Sequence, residues 1–248
     1  VLGLVCAVAL IIVFLALSGS SLIFQKSNSN YQPYYNDYKL FELYKAFQNG
    51  KVKQWKNLLQ SHPEHLHNKQ LLFDILYDAN ADNKTNSRKL ESLKYMFDAG
   101  VILDSSHCMD LNAFVYSGKA DLAELLLQHG VDPNCTSLKY NNKKPPIFST
   151  IGGHENAYKV IKVLIKYGAD INVKIYDDER EDWVTSLLYG VYVEDWTVCK
   201  ELIANGASLD FKTKDGLSIK EHILQKAANV KAQGYQDNKL LGLVNQIK

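Results

Sequence analysis

The stretch Gly118 to Asn134, GKADLAELLLQHGVDPN, contains a short amphipathic helical pattern followed by a glycine and a turn. Similar sequence returns as KVIKVLIKYGADINVK from Lys159 to Lys174 and as VCKELIANGASLD from Val198 to Asp210. A fourth copy, LKYMFDAGVILD, lies upstream, from Leu93 to Asp104. In each copy a glycine follows the apolar helix, where its ability to adopt a positive φ ends the helix. Such repetition predicts a chain built from copies of one helical unit.

The four helix-ending glycines are Gly100, Gly130, Gly168 and Gly206. They are separated by 30, 38 and 38 residues. These copies resemble the second helix and finger turn of ankyrin repeats, whose period is about 33 residues. Pro145-Pro146-Ile147-Phe148 stands where the family has Thr-Pro-Leu-His, and Gly153-His154-Glu155 resembles the turn between the two ankyrin helices. The longer spacings predict insertions.

The resemblance covers roughly residues 39–248 and implies an all-α fold, an α-solenoid of about five to six helix-turn-helix repeats in which each repeat contacts only its neighbours. Pro146 is expected to start a helix, because proline presets the first helical turn. The outer repeats are irregular. His62 stands where the better copies have the closing glycine, and Pro63 ends that helix regardless.

The first 24 residues, Val1 to Phe24, contain no charged side chain. Because roughly 20 apolar residues suffice to cross a bilayer as a helix, we predict a transmembrane helix here. The alternative is a signal peptide, since Ser18-Gly19-Ser20 places small residues at the spacing that signal peptidase requires. Residues 25–38 are polar and predict a flexible tether, and residues 39–248 form the repeat domain. We expect this domain on the periplasmic or another extracytoplasmic side of the membrane, with the cytoplasmic side left open.

The charges are balanced, with 28 Lys and Arg against 27 Asp and Glu and a net charge of +1. This balance gives no electrostatic reason to expect nucleic acid. Three cysteines follow the apolar run: Cys108, Cys135 and Cys199. Reduced and mostly buried thiols are the favoured interpretation, because nothing resembles a disulfide framework. Stacked finger turns could nevertheless bring Cys108 and Cys135 close together.

No catalytic or phosphate-binding motif is apparent, since the chain lacks Gly-x-Ser-x-Gly, His-Glu-x-x-His and a Gly-rich loop followed by Lys-Ser/Thr. We predict a protein that is not an enzyme and has no cofactor. The densest titratable cluster is His62, His65 and His67. Because Pro63 interrupts the helix, no regular face aligns the three imidazoles, and no metal site is expected.

Two sets of residues are predicted to bind a partner protein. A finger from Tyr176 to Trp183 has five acids against one base, which indicates either a solvated loop or a surface that attracts a basic partner. Aromatic side chains at the ends of first helices line the groove of ankyrin stacks, although packing against the next repeat is an equal alternative. The predicted contacts are Tyr116, Tyr140, Tyr176, Asp177, Asp178, Glu179, Arg180, Trp183, Tyr189 and Tyr192.

The resemblance implies protein binding by a module held at the membrane through its N-terminal segment or exported across it. One narrower hypothesis is a bacterial immunity protein that neutralises a secreted toxic effector. The alternative is a membrane-tethered cytoplasmic scaffold or adaptor. A metal-dependent enzyme that uses His62, His65 and His67 is the third hypothesis.

Overall fold

The computed structural model describes residues 35–82, 86–136, 144–152 and 156–247. These residues form eleven α-helices and one small antiparallel sheet. The helices are α1 (Tyr38–Gln48), α2 (Val52–Ser61), α3 (Lys69–Ala81), α4 (Ser87–Asp98), α5 (Cys108–Tyr116), α6 (Ala120–Gln128), α7 (Ala157–Lys166), α8 (Ser186–Tyr192), α9 (Trp196–Ala204), α10 (Ile219–Ala232) and α11 (Asn238–Ile247). The strands are β1 (Lys174–Asp177) and β2 (Asp182–Thr185).

The prediction of a mostly helical fold is confirmed, and Pro146 starts a helical turn as expected. The expectation of an all-α fold is wrong, because the structure contains a two-stranded sheet. The acidic finger forms the β1–β2 hairpin, in which Ile175 pairs with Val184 and Tyr176 pairs with Trp183. Pro146 begins a 3-10 turn, Pro146–Thr150, and no α-helix follows it directly. Two more 3-10 turns lie at Pro63–His65 and Ser105–His107.

The helices contact one another in two series. In the first series α1 contacts α3, α3 contacts α5, α5 contacts the turn Pro146–Thr150, this turn contacts α8, and α8 contacts α10. In the second series α2 contacts α4, followed by α6, α7, α9 and α11 in that order. Members of the two series also contact each other, as α1 does α2 and α8 does α9.

The three turns that follow α6, α7 and α9 share one geometry. Each contains a glycine with positive φ: Gly130 at 94°, Gly168 at 91° and Gly206 at 96°. In each turn the next amide donates a hydrogen bond back into the helix: Val131 to Leu126, Ala169 to Leu164 and Ala207 to Leu202. These bonds satisfy carbonyl groups that a helix end leaves unpaired.

Asparagine side chains join these turns to each other. Asn134 donates through Nδ2 to the Gly168 carbonyl at 3.0 Å and accepts from the Asp170 amide at 2.8 Å. Asn172 accepts from the Ser208 amide at 2.8 Å in the next turn. The segments around the three glycines are therefore direct neighbours.

Beneath the turns, the buried apolar side chains form one core from Leu40 to Ile247. Its largest fully buried side chain is Trp55, whose indole N–H donates to the Ser92 carbonyl at 3.1 Å. Phe47 lies against it, with ring centroids 5.5 Å apart. Burial of each such side chain contributes about 1.5–3 kcal/mol.

Cys108 and Cys135 form a disulfide, with their Cα atoms 5.8 Å apart. The prediction of three reduced thiols is therefore wrong for this pair. The alternative, in which Cys108 and Cys135 lie close together, is confirmed, because the start of α5 lies beside the turn that follows Gly130. Cys199 is a buried free thiol, and burial raises its pKa to about 12.

In the described part of the chain, no helix combines the length and the apolar character needed to cross a membrane. The run Val1–Phe24 and the tether up to residue 34 lie outside the described residues.

Candidate protein-binding surface

The two faces of the β1–β2 hairpin differ in their side chains, with aliphatic residues on one face and exposed aromatic rings on the other. Its register pairs Tyr176 with Trp183 and Ile175 with Val184. Because successive side chains of a strand point to opposite faces, these two pairs lie on opposite sides. Val184 is fully buried on the side that faces the helices, whereas Tyr176 and Trp183 lie on the solvent side.

Tyr176 and Trp183 form an exposed aromatic pair. Their side chains are 49% and 53% exposed, and their rings meet edge to face with centroids 5.8 Å apart. Aromatic residues are enriched among those that dominate the energy of protein interfaces. The pair therefore offers a rigid apolar contact on an otherwise charged finger.

The hairpin tip, residues 178–181, is held by Asp177. The Asp177 carboxylate accepts from the amides of Glu179 and Arg180 at 3.0 and 3.3 Å and from the Arg180 guanidinium at 2.7 Å. Burial alone would raise the pKa of Asp177, but the hydrogen bond and charge of Arg180 lower it below the ordinary value. Asp177 thus faces into the tip and organises it.

Arg180 ties the tip to helix α8. Its guanidinium carbon lies 4.9 Å from the ring centroid of Tyr192 and 5.7 Å from that of Tyr189, within cation–π range. The Lys144 amine lies 4.3 Å from the Tyr189 centroid. Burial raises the pKa of Tyr192, and the negative charges of Asp182 and Asp215 raise it further. Both tyrosines are half-buried in contacts within the chain.

The other charges of the finger are unevenly placed. Asp178, Glu179 and Glu181 are exposed at the tip, and Glu181 has a positive φ of 49°. Asp182 accepts from the Lys214 amide at 2.9 Å. The negative charge that faces solvent is thus concentrated on the three tip carboxylates.

A recess of about 430 Å³ lies between the hairpin and residues 211–214. It is lined by Lys174, Asp182, Trp183, Phe211, Lys212, Thr213 and Lys214. The Lys174 amine lies 5.0 Å from the Phe211 ring centroid, and the Lys214 amine donates to the Arg180 carbonyl at 2.9 Å. Trp183 therefore stands between an acidic tip and a basic recess. We call residues 176–183, together with the recess residues Lys174, Phe211, Lys212, Thr213 and Lys214, the finger surface.

The predicted contact Tyr116 lies outside the finger surface. Tyr116 is exposed at the end of α5, and Tyr140 lies outside the described residues. Sequence reasoning missed the exposed Phe73, which stacks on Tyr77 with ring centroids 6.4 Å apart. The apolar spacing of α3 was a usable signal, because Phe73 falls between its buried apolar positions, namely Leu71, Leu72, Ile75, Leu76 and Ala79.

Metal-ligating side chains converge after α2, at the other end of the described chain. One ligand atom each from His62, Glu64 and His65 lies within 4.8 Å of the others. The expectation that Pro63 keeps the imidazoles apart is wrong for His62 and His65, whose ring centroids are 5.8 Å apart. His67 is exposed and does not belong to this group.

A search of protein-family models and of curated proteins found no match to this chain.

Proposed function

We propose that the chain is an ankyrin-like α-solenoid that binds another protein through the finger surface. Three features support the repeat architecture: helices that contact in two series, glycine turns of common geometry, and asparagine side chains that join consecutive turns. In such folds each unit contacts its neighbours, and binding depends on side chains that project from the stack.

The observation that carries the proposal is the exposed Tyr176–Trp183 pair on an anchored hairpin. Val184 fixes the base of the hairpin in the core, and the Asp177–Arg180 ion pair fixes its tip. A surface already ordered in the free protein loses less conformational entropy when it binds. A rigid aromatic anchor of this kind suits a specific protein partner.

The charges define the chemistry of that partner. The tip carboxylates of Asp178, Glu179 and Glu181 favour a basic patch, and the lysines of the recess favour an adjacent acidic group. Opposite charges on the two sides of Trp183 set one orientation and penalise partners with the reverse pattern. The partner is therefore a protein whose basic surface borders an acidic side chain.

The Cys108–Cys135 disulfide favours an oxidising compartment, because thiols are kept reduced in the cytosol. It supports the exported module over the cytoplasmic scaffold. An immunity protein that neutralises a toxic effector in the bacterial envelope is the narrower form of this proposal.

Alkylation of cysteines in intact cells tests the compartment. We expect Cys108 and Cys135 to resist alkylation until a reductant is added, with Cys199 modified only after unfolding. Reduced Cys108 and Cys135 in cells would favour the cytoplasmic scaffold.

Capture of partners from envelope extracts tests the binding surface. The wild-type chain and Trp183→Ala are compared with Tyr235→Ala, which removes an aromatic ring that is 74% exposed and remote in sequence from the finger. We expect the wild type and Tyr235→Ala to retain one common partner and Trp183→Ala to lose it. Retention by all three chains contradicts the proposal.

A further inference from the structure

The segment after α2 places two imidazoles on the same side of a tight turn. His65 donates its amide to the His62 carbonyl at 3.1 Å, and Leu66 donates to the Pro63 carbonyl at 3.1 Å. In a 3-10 turn, side chains three residues apart eclipse each other. Pro63 ends α2 and starts this turn, and so it brings His62 and His65 together.

Two carboxylates complete the cluster. Glu64 Oε1 lies 3.2 Å from His62 Nδ1 and 3.8 Å from His65 Nε2. Asp37 comes from the start of α1, and its Oδ2 lies 3.4 Å from His65 Nε2. Asp37 Oδ1 meanwhile accepts from the Lys39 amide at 2.7 Å as the N-cap of α1. The Asp37 carboxylate therefore caps α1 through one oxygen and contacts His65 through the other.

These separations match the spacing of ligands around a tetrahedral metal. With zinc–nitrogen and zinc–oxygen bonds of about 2.0–2.2 Å, ligand atoms at the corners of a tetrahedron lie about 3.4 Å apart. Three of the six separations among the four residues, 3.2, 3.4 and 3.8 Å, lie close to that value, and the ligand atoms of His62 and His65 lie within 4.8 Å of each other. His62, Glu64 and His65 are the three residues whose ligand atoms all lie within 4.8 Å of one another, and Asp37 approaches this group through His65. Three protein ligands leave one tetrahedral position for Asp37 or for water.

We propose that His62, Glu64 and His65, together with Asp37, bind one zinc ion. Imidazole nitrogen combined with carboxylate oxygen suits zinc better than calcium or magnesium, which prefer oxygen ligands alone. Because no cysteine thiolate is a ligand, oxidation of thiols would not destroy the site in the oxidising compartment that the disulfide indicates. The ion links the beginning of α1 to the turn after α2 and so fastens the first helix pair beside the predicted tether.

Zinc titration of the chelator-treated full chain tests the site, with calorimetry for stoichiometry and thermal unfolding for stabilisation. We expect one zinc per wild-type chain and a rise in Tm, because a ligand that binds only the folded state stabilises it. His67→Ala is the matched control and retains both effects. His62→Ala weakens zinc binding more than about 100-fold, since even groups that only support a ligand contribute about 10- to 100-fold.

Two further measurements separate coordination from folding. Asp37→Asn keeps a side chain that caps α1, so its loss of zinc affinity reports the lost carboxylate ligand. Cobalt(II) gives the intense visible absorption of a tetrahedral site in the wild type and His67→Ala, and His62→Ala abolishes it. No zinc binding by the folded wild type, or equal binding by His62→Ala and His67→Ala, overturns the proposal.

Discussion

The finger turns after Gly130 and Gly168 begin alike and end differently. Both follow a glycine with positive φ, and both contain an asparagine that bonds to the next turn. After Gly130 the chain soon reaches Cys135 and is fastened to α5 by the disulfide, whereas after Gly168 it extends into the β1–β2 hairpin. The comparison separates two tasks, since the shared turn bonds to the next turn and the hairpin presents the rings and charges of the finger surface.

The largest expected effect comes from the disulfide that fastens the first of these turns. The linked cysteines are 27 residues apart, and closing a loop of that length stabilises a fold by about 3.5 kcal/mol in the chain-entropy account. Replacing Cys108 and Cys135 by Ala should lower the free energy of unfolding by about 3 kcal/mol in urea titrations. Reductant should destabilise the wild type similarly and leave the double variant unchanged, and an effect of reductant on both chains would point to another cause.

Gly168→Ala tests the feature that the two turns share. Its φ of 91° lies outside the range that side-chain-bearing residues normally adopt, although a Cβ there would meet no atom within 4 Å. We expect a loss of about 1–2 kcal/mol from backbone strain alone. Gly242→Ala, in helix α11 and equally free of contacts, should instead stabilise by about 0.5–1 kcal/mol. Similar losses for both variants would contradict the strained turn.

Asp177→Asn tests what holds the inserted hairpin. At neutral pH the variant should lose about 1–2 kcal/mol, because it removes a charged partner of Arg180. The folded pKa of Asp177 is lowered, so the carboxylate contributes its stability above its ordinary pKa near 3.9 and loses it as pH falls through the folded value. Unfolding titrations should therefore show the gap between wild type and variant shrinking in acid. A gap that does not change with pH would show that the charge is unimportant.

The smallest expected losses of stability come from replacing Asn134 and Asn172, and they should differ from each other. Asn134 makes two hydrogen bonds to the next turn and Asn172 makes one, both in exposed positions. We expect Asn134→Ala to cost about 1 kcal/mol and Asn172→Ala about half as much. Hydrogen exchange at the Asp170 and Ser208 amides should report each loss separately. The reverse order of costs would contradict the two-bond assignment.

Periodic features of the sequence predict the helices and the turns that end them well. The helix-ending glycines stand out because one backbone conformation recurs at each, and all four have positive φ. The helices around them follow from apolar spacing, which depends only on local pattern. The family resemblance rests on these same residues.

The features that the sequence did not reveal depend on contacts between distant segments or on short local geometry. The β1 and β2 strands contain four residues each, which is too short for a strand pattern to be recognised in a stretch dominated by acidic residues. The sequence raised the Cys108–Cys135 pair only as an alternative, because the pair depends on how two turns adjoin. His62 and His65 meet because Pro63 opens a 3-10 turn, whose spacing differs from that of an α-helix.

The residues of the finger that were predicted to bind a partner form two groups in the structure. Tyr176 and Trp183 are exposed as the finger hypothesis requires, while Asp177 and Arg180 bond each other within the hairpin. Composition identifies an acidic finger, but only three-dimensional pairing separates the carboxylates that face solvent from the one that holds the tip.

The most direct test of the central claim is the affinity of the captured partner for Trp183→Ala and Tyr235→Ala, measured by calorimetry on folded chains with equal Tm. If the finger surface is the binding site, Trp183→Ala should weaken binding by about 30-fold or more, the effect of losing an interface anchor worth about 2 kcal/mol, and Tyr235→Ala should bind like the wild type. Equal affinity of both variants for the partner would contradict the account.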